Sequence, residues 1–158
     1  GDGPGKENLQ RLAAELGVTG EVVFTGQIPQ SEAIKLAVAA DIGLSPIPPF
    51  AFYRVAYPIK ILEYMASGKP VVANEEILGH QEIIEQSGGG LLAPFTAEAF
   101  ANAIIELLSN PERAKEMAGK GYEWVVNNRS YEILARRLEE RYNQLAISKK
   151  RSGDNHVS

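Results

Sequence analysis

The sequence contains no cysteine, which excludes disulfides and thiolate metal sites. Aspartate is confined to Asp2, Asp41 and Asp154, and histidine to His80 and His156. Oxygen-rich Mg²⁺ sites and imidazole-rich Zn²⁺ sites want clustered ligands, so no metal site is expected. No apolar run approaches the roughly 18 residues that a membrane span needs, and no signal peptide opens the sequence. A basic stripe is missing too: 16 Lys and Arg stand against 20 Asp and Glu, for a net charge of −4, with both signs interspersed. That balance argues against a nucleic-acid partner. Arg136, Arg137, Arg141 and Lys149-Lys-Arg151 would suit an anionic membrane surface, but Glu132, Glu139 and Glu140 dilute them. The expectation is a cytoplasmic protein, with a position peripheral to the inner face of a membrane as the remaining option.

What is present suits one globular domain: 158 residues, 44% of them hydrophobic. Gly1-Asp-Gly-Pro-Gly5 is a turn running into a helix with Leu9, Leu12, Ala13 and Leu16 at helical spacing. Its Pro removes an N–H donor, so it reads as a structural turn and not as a phosphate loop. Four short apolar runs read as strands: Val22-Val-Phe-Thr25, Ile42-Gly-Leu-Ser45, Pro70-Val-Val-Ala73 and Leu91-Leu-Ala93. Between them lie a helix capped by Ser31, a Pro58-started helix ending before Gly68, and a helix ending at Gly88-Gly-Gly90. Three helical stripes follow, carried by Phe100, Ile104, Leu107 and Leu108, then Met117, Ala118, Tyr122 and Val125, then Tyr131, Leu134, Leu138, Tyr142 and Leu145. Strands alternating with amphipathic helices predict an α/β fold, a Rossmann-like parallel sheet with helices on both faces. Ligands of such a sheet sit at the carboxyl ends of its strands. A lobe over residues 1–147 is expected, cut at its front because no strand precedes the first turn, with a disordered polar tail over 148–158.

The most informative stretch is Tyr57-Pro-Ile-Lys-Ile-Leu-Glu-Tyr-Met-Ala-Ser-Gly-Lys-Pro-Val-Val-Ala73. It describes a helix whose N-terminus follows the carboxyl edge of a sheet. Such an end offers unpaired N–H groups and a partial positive charge, favourable for a pyrophosphate. Lys60 falls in the first turn, where the helix dipole disfavours a cation unless an anion joins it. Glu63 lies one turn on and has the carboxylate to accept hydrogen bonds from a ribose diol. A surface Lys60–Glu63 ion pair at i,i+3 explains the same two residues equally well on physics alone.

This passage resembles the signature of the retaining glycosyltransferases of GT-B architecture, family 4, also known as glycosyl transferases group 1. Gly1-Asp-Gly-Pro4, Val22-Val-Phe-Thr-Gly26 and Ala39-Ala-Asp-Ile-Gly-Leu-Ser-Pro46 precede it in the family's order. Gly79-His-Gln-Glu-Ile-Ile84 and Gly88-Gly-Gly-Leu-Leu-Ala-Pro94 follow, so the resemblance covers roughly residues 1 to 146. It implies the C-terminal, donor-binding lobe of such an enzyme, with a UDP-, GDP- or ADP-sugar as substrate and no further cofactor. It also implies that Glu63 binds the ribose hydroxyls and that Gly26, Gln27 and Ile28 present main chain to the base. The helix end at Pro58 and Ile59, with Lys60, would face the leaving diphosphate without a metal. The acceptor would come from an N-terminal lobe outside this sequence.

Two departures bear on that expectation. The family's usual first glutamate stands eight positions before Glu63 and meets the donor sugar; here that position is Val55. The family's phosphate-gripping Arg and Lys lie on a unit that precedes the Gly-Asp-Gly-Pro turn. Two alternatives follow: a non-catalytic lobe of a degenerate glycosyltransferase, and a sugar-nucleotide epimerase of the same architecture. His80 reads as a surface residue entering a helix or as a donor contact. Tyr53 and Arg54 read as sugar-bordering residues or as loop anchors.

Overall fold

The computed structural model describes residues 2–154, with side chains through residue 146. The chain forms two compact units, residues 1–39 and 40–158. The first holds α1 (Lys6–Glu15) and α2 (Gln30–Ala39). Residues 22–25, expected as a strand, form none. Val23 is 83% exposed and makes no ladder. An apolar run is only half of a strand; the other half is a neighbour that satisfies its N–H and C=O groups. Ser31 lies inside α2 and not at its cap, because the helix begins at Gln30 and the Pro29 carbonyl accepts from the Glu32 and Ala33 amides.

The second unit contains a three-stranded parallel sheet in the order β1-β2-β3, made by β1 (Gly43–Ser45), β2 (Val71–Asn74) and β3 (Gly90–Ala93). Gly43 pairs with Val71 and Ser45 with Ala73; Val71 pairs with Gly90 and Asn74 with Ala93. The central strand is buried at all four positions, as expected for a parallel strand covered on both faces.

Alternation along β2 sorts the core into two layers. Val71 and Ala73 pack with Ile61 and Met65 of α4 (Ile59–Ala66), Ile83 and Ile84 of α5 (Leu78–Ser87), and Val125 of α7 (Pro111–Arg129). Val72, on the opposite face, packs with Phe100 and Leu107 of α6 (Ala97–Ser109), where Met117 of α7 joins them. Thr96 caps α6 and Asn110 caps α7 through side-chain oxygens. Gly88 ends α5 in the left-handed region at φ 63°, the conformation that glycine adopts most cheaply.

The third apolar stripe lies on α8 (Tyr131–Asp154) and stays largely uncovered: Tyr131 is 91% exposed, and Leu138 and Tyr142 more than half exposed. The helix runs through residues 148–154, where a polar tail was expected. Residues 155–158 lie outside the described residues.

Candidate functional site

The carboxyl end of β1 opens onto a cavity of about 580 Å³. Its floor is the end of β1 and the following turn, from Leu44 to Pro48; its wall is the start of α4, from Tyr57 to Lys60, with Tyr64. The long loop expected after Ser45 contains a short helix, α3 (Ala51–Arg54), which brings Tyr53 to the cavity. Arg54 turns away from it. Its Nε donates to the Pro49 carbonyl at 3.2 Å and its guanidinium pairs with Glu76 at 3.3 Å, so it anchors the loop.

Pro58, expected at the first helical position, is instead the N-cap of α4, buried and with extended backbone. No side chain caps this end. The amides of Ile59, Lys60 and Ile61 therefore lack intrahelical partners. Ile59 is 66% exposed. Lys60 borders the cavity, while Glu63 is exposed one turn along and lies outside its lining. Among the described residues no ion pair joins Lys60 to Glu63, and neither side chain is engaged elsewhere. A free cation in the first turn costs about 0.3–1 kcal/mol against the helix dipole.

Two contacts hold this helix end in place. Gly79, at the start of α5, approaches so closely that a Cβ there would lie 2.5 Å from the Ala56 carbonyl oxygen and 2.9 Å from Pro58 Cδ. Arg129, the last residue of α7, donates to the Tyr57 hydroxyl and lies over the Tyr57 ring, 5.4 Å from its centroid. The same guanidinium stacks on Trp124 and pairs with Glu82 at 3.5 Å.

His80 corrects the surface expectation, because it is fully buried beneath the cavity floor. Its Nε2 lies 2.9 Å from Ser45 Oγ and its Nδ1 2.8 Å from the Asn74 carbonyl oxygen. The Asn74 side chain continues the network, donating to the Ile47 carbonyl at 2.7 Å and accepting from the Glu76 amide at 3.0 Å. Burial pushes the His80 pKa below its ordinary value, against the opposing pull of the Asn74 carbonyl. Neither Ser45, Asn74 nor Arg129 carries a recognisable signal in the sequence: their partners lie 35, 27 and 72 positions away.

In the first unit, Gly26 adopts φ 66°, and the adjoining Gln27 amide donates to the Asp2 carboxylate at 3.0 Å. Lys6 pairs with the same carboxylate at 2.6 Å. The Lys6 hydrogen bond, and then the Gln27 amide, hold the Asp2 carboxyl below the usual carboxylate range. The Gly-Asp-Gly-Pro turn thus supports the loop at Gly26, Gln27 and Ile28, and the Gln27 N–H is already spent. Among the described residues no group of three His, Asp or Glu side chains is placed to hold a metal ion, and no helix is long and apolar enough to cross a membrane.

The family model for glycosyl transferases group 1 matches residues 1–124. A GDP-mannose-dependent alpha-(1-6)-phosphatidylinositol monomannoside mannosyltransferase of Mycolicibacterium smegmatis is 32% identical over 142 residues, covering 89% of this chain and 37% of that protein. The lipopolysaccharide core biosynthesis glycosyltransferase LpsE of Rhizobium meliloti is 32% identical over 152 residues, covering 94% of this chain and 41% of its own length. The chain thus spans about two fifths of these curated relatives. Among solved structures, sucrose-phosphate synthase from Thermosynechococcus elongatus superposes with a TM-score of 0.79 at 29% identity, over 94% of this chain and 36% of that one. Anabaena Alr3699/HepE, in complex with UDP, superposes with a TM-score of 0.75 at 22% identity, over 88% of this chain and 36% of that one, a likeness of fold. With its α/β sheet of GT-B type and its matching residues 1–124, the chain belongs to the glycosyl transferases group 1 family.

Proposed function

We propose that this chain is the donor-binding part of a retaining, metal-independent glycosyltransferase of family 4 that uses a nucleoside-diphosphate sugar and no further cofactor. The observation that carries the reading is the uncapped N-terminus of α4, with Lys60 unpaired beside a cavity at the carboxyl edge of the sheet. An anion there would take the first-turn amides and turn the misplaced cation into an asset. In the proposed mechanism Lys60 and the amides after Pro58, at Ile59 and onward, stabilise the leaving diphosphate as charge develops on it. Glu63 would accept from the ribose diol, in keeping with its unpaired carboxylate. Gly26, Gln27 and Ile28 would offer main chain to the base; with the Gln27 N–H held by Asp2, that contact would fall to its carbonyl and to Ile28. The acceptor would be bound by a further lobe of the complete protein.

The relatives' names include a GDP-mannose-dependent enzyme, and one structural neighbour holds UDP, so the base is left to experiment. Titration calorimetry of the complete protein with UDP-, GDP- and ADP-sugars is the test. One of the three should bind at least tenfold more tightly than the others, with its free nucleotide retaining part of that affinity. Failure of all three nucleotides to bind would end the reading. Turnover that requires an acceptor and releases nucleoside diphosphate separates transfer from epimerisation.

A further inference from the structure

Ser45 ends β1, borders the cavity, and is only 4% exposed. The direction of its hydroxyl hydrogen follows from its neighbours. The Asn74 carbonyl can only accept, so the hydrogen of the neutral His80 ring must sit on Nδ1. Nε2 is then an acceptor, and the Ser45 hydroxyl donates to it at 2.9 Å. Burial keeps the ring neutral at physiological pH. With its one hydrogen committed to a buried partner, Ser45 presents only lone pairs to anything that approaches it.

That matters because the cavity lining holds no carboxylate. Sugar hydroxyls are strong donors, and burying them without acceptors costs roughly 1–3 kcal/mol each. The position at which the family's pattern has a glutamate is Val55, apolar and 74% exposed. The other hydroxyls at the cavity belong to Tyr53, Tyr57 and Tyr64; Tyr57 accepts from Arg129 and keeps its own hydrogen, whereas Ser45 has its hydrogen committed to His80. Resting on the donor-site reading above, we propose that Ser45, oriented by His80, accepts a hydrogen bond from a hydroxyl of the donor's sugar and so helps select a neutral hexosyl donor. His80 acts through Ser45 and is a positioning residue, while the Asn74 bridge to the Ile47 carbonyl keeps the floor in register with it.

The test compares the free nucleotide with its hexosyl derivative on the complete protein, by calorimetry. Ser45→Ala should weaken the nucleotide sugar about tenfold, the worth of one buried hydrogen bond, and leave the free nucleotide within about twofold. A series of monodeoxy donors should contain one member whose affinity is insensitive to Ser45→Ala, identifying the hydroxyl bound. Ser45→Ala leaves His80 Nε2 without a partner, so the double variant Ser45→Ala/His80→Leu, which removes both polar groups, guards against unfolding and should show the same selective loss. His80→Gln, which places an amide oxygen near the Nε2 position to accept from Ser45, should retain most of the affinity of the unsubstituted protein. Equal losses for nucleotide and nucleotide sugar, or no insensitive deoxy donor, would overturn the assignment of Ser45 alone. Absence of nucleotide binding by the unsubstituted protein would instead overturn the donor-site reading, and Ser45 with it.

Discussion

Gly79 is packed directly against the Ala56 carbonyl, with no room for a Cβ between them. One glycine at the head of α5 thereby sets how the chain enters α4. Gly79→Ala should force residues 56–58 outward and lower stability by about 1–3 kcal/mol, the usual cost of overpacking. Diphosphate affinity should fall as well, because the first-turn amides of α4 move with Pro58. Denaturant unfolding and calorimetry with the nucleoside diphosphate measure the two effects. An alanine variant of native stability would show that the approach is not rigid.

Lys60→Ala should weaken nucleoside diphosphate binding by about 1.5–3 kcal/mol, the range for a charge-assisted hydrogen bond, and leave the nucleoside unaffected. Folding stability should stay level or rise slightly, since a cation leaves the positive end of a helix. Equal losses for nucleoside and nucleoside diphosphate would remove Lys60 from the phosphate site.

Glu63→Gln keeps the shape and part of the acceptor capacity but removes the charge. Donor affinity should drop by about 1–3 kcal/mol with thermal stability little changed, because Glu63 is exposed and its side chain has no partner among the described residues. A 2′-deoxy donor should lose less on the same substitution, and the protein–ligand cycle reads that coupling. Strictly additive losses would take Glu63 out of the ribose site.

The pH dependence of stability should carry the signature of His80. Its native pKa lies below the ordinary value of 6.5, so the unfolded chain binds the proton first as pH falls. The stabilisation is complete above pH 6.5 and is lost as pH drops from there through the lowered native value. The slope for one such group cannot exceed about 1.4 kcal/mol per pH unit. Urea unfolding at several pH values should therefore show the stability gap between the unsubstituted protein and His80→Gln narrowing below pH 6.5. A gap independent of pH would mean that His80 titrates alike in both states.

Much of this architecture is legible in local chemistry. The proline before Ile59, the glycines at 68 and 88, and the apolar runs around Val72 and Leu91 mark elements that the structure places within a residue or so of expectation. Turn conformations, caps and helical periodicity act over a few neighbouring residues, so one stretch of chain suffices to state them. Of the candidate site, the sequence marks the start of α4 with Lys60, which borders the cavity, because a helix end is itself a local object; Glu63 lies one turn on, outside the lining. Whether those two residues neutralise each other was not legible: the i,i+3 spacing permits a pair that the side chains do not make.

What required the tertiary structure is everything that depends on a distant partner. Residues 22–25 have the composition of a strand and form none, since β structure exists only in pairs. His80 reads locally as a polar residue entering a helix. It is buried because parallel pairing of β1 with β2 brings Ser45 and the Asn74 carbonyl to its two nitrogens, and those hydrogen bonds offset the cost of taking an imidazole out of water. Arg129 reaches Tyr57 across 72 positions because α7 packs against α4. Periodicity tells which face of an element is apolar, but only packing decides which polar groups are carried inside with it.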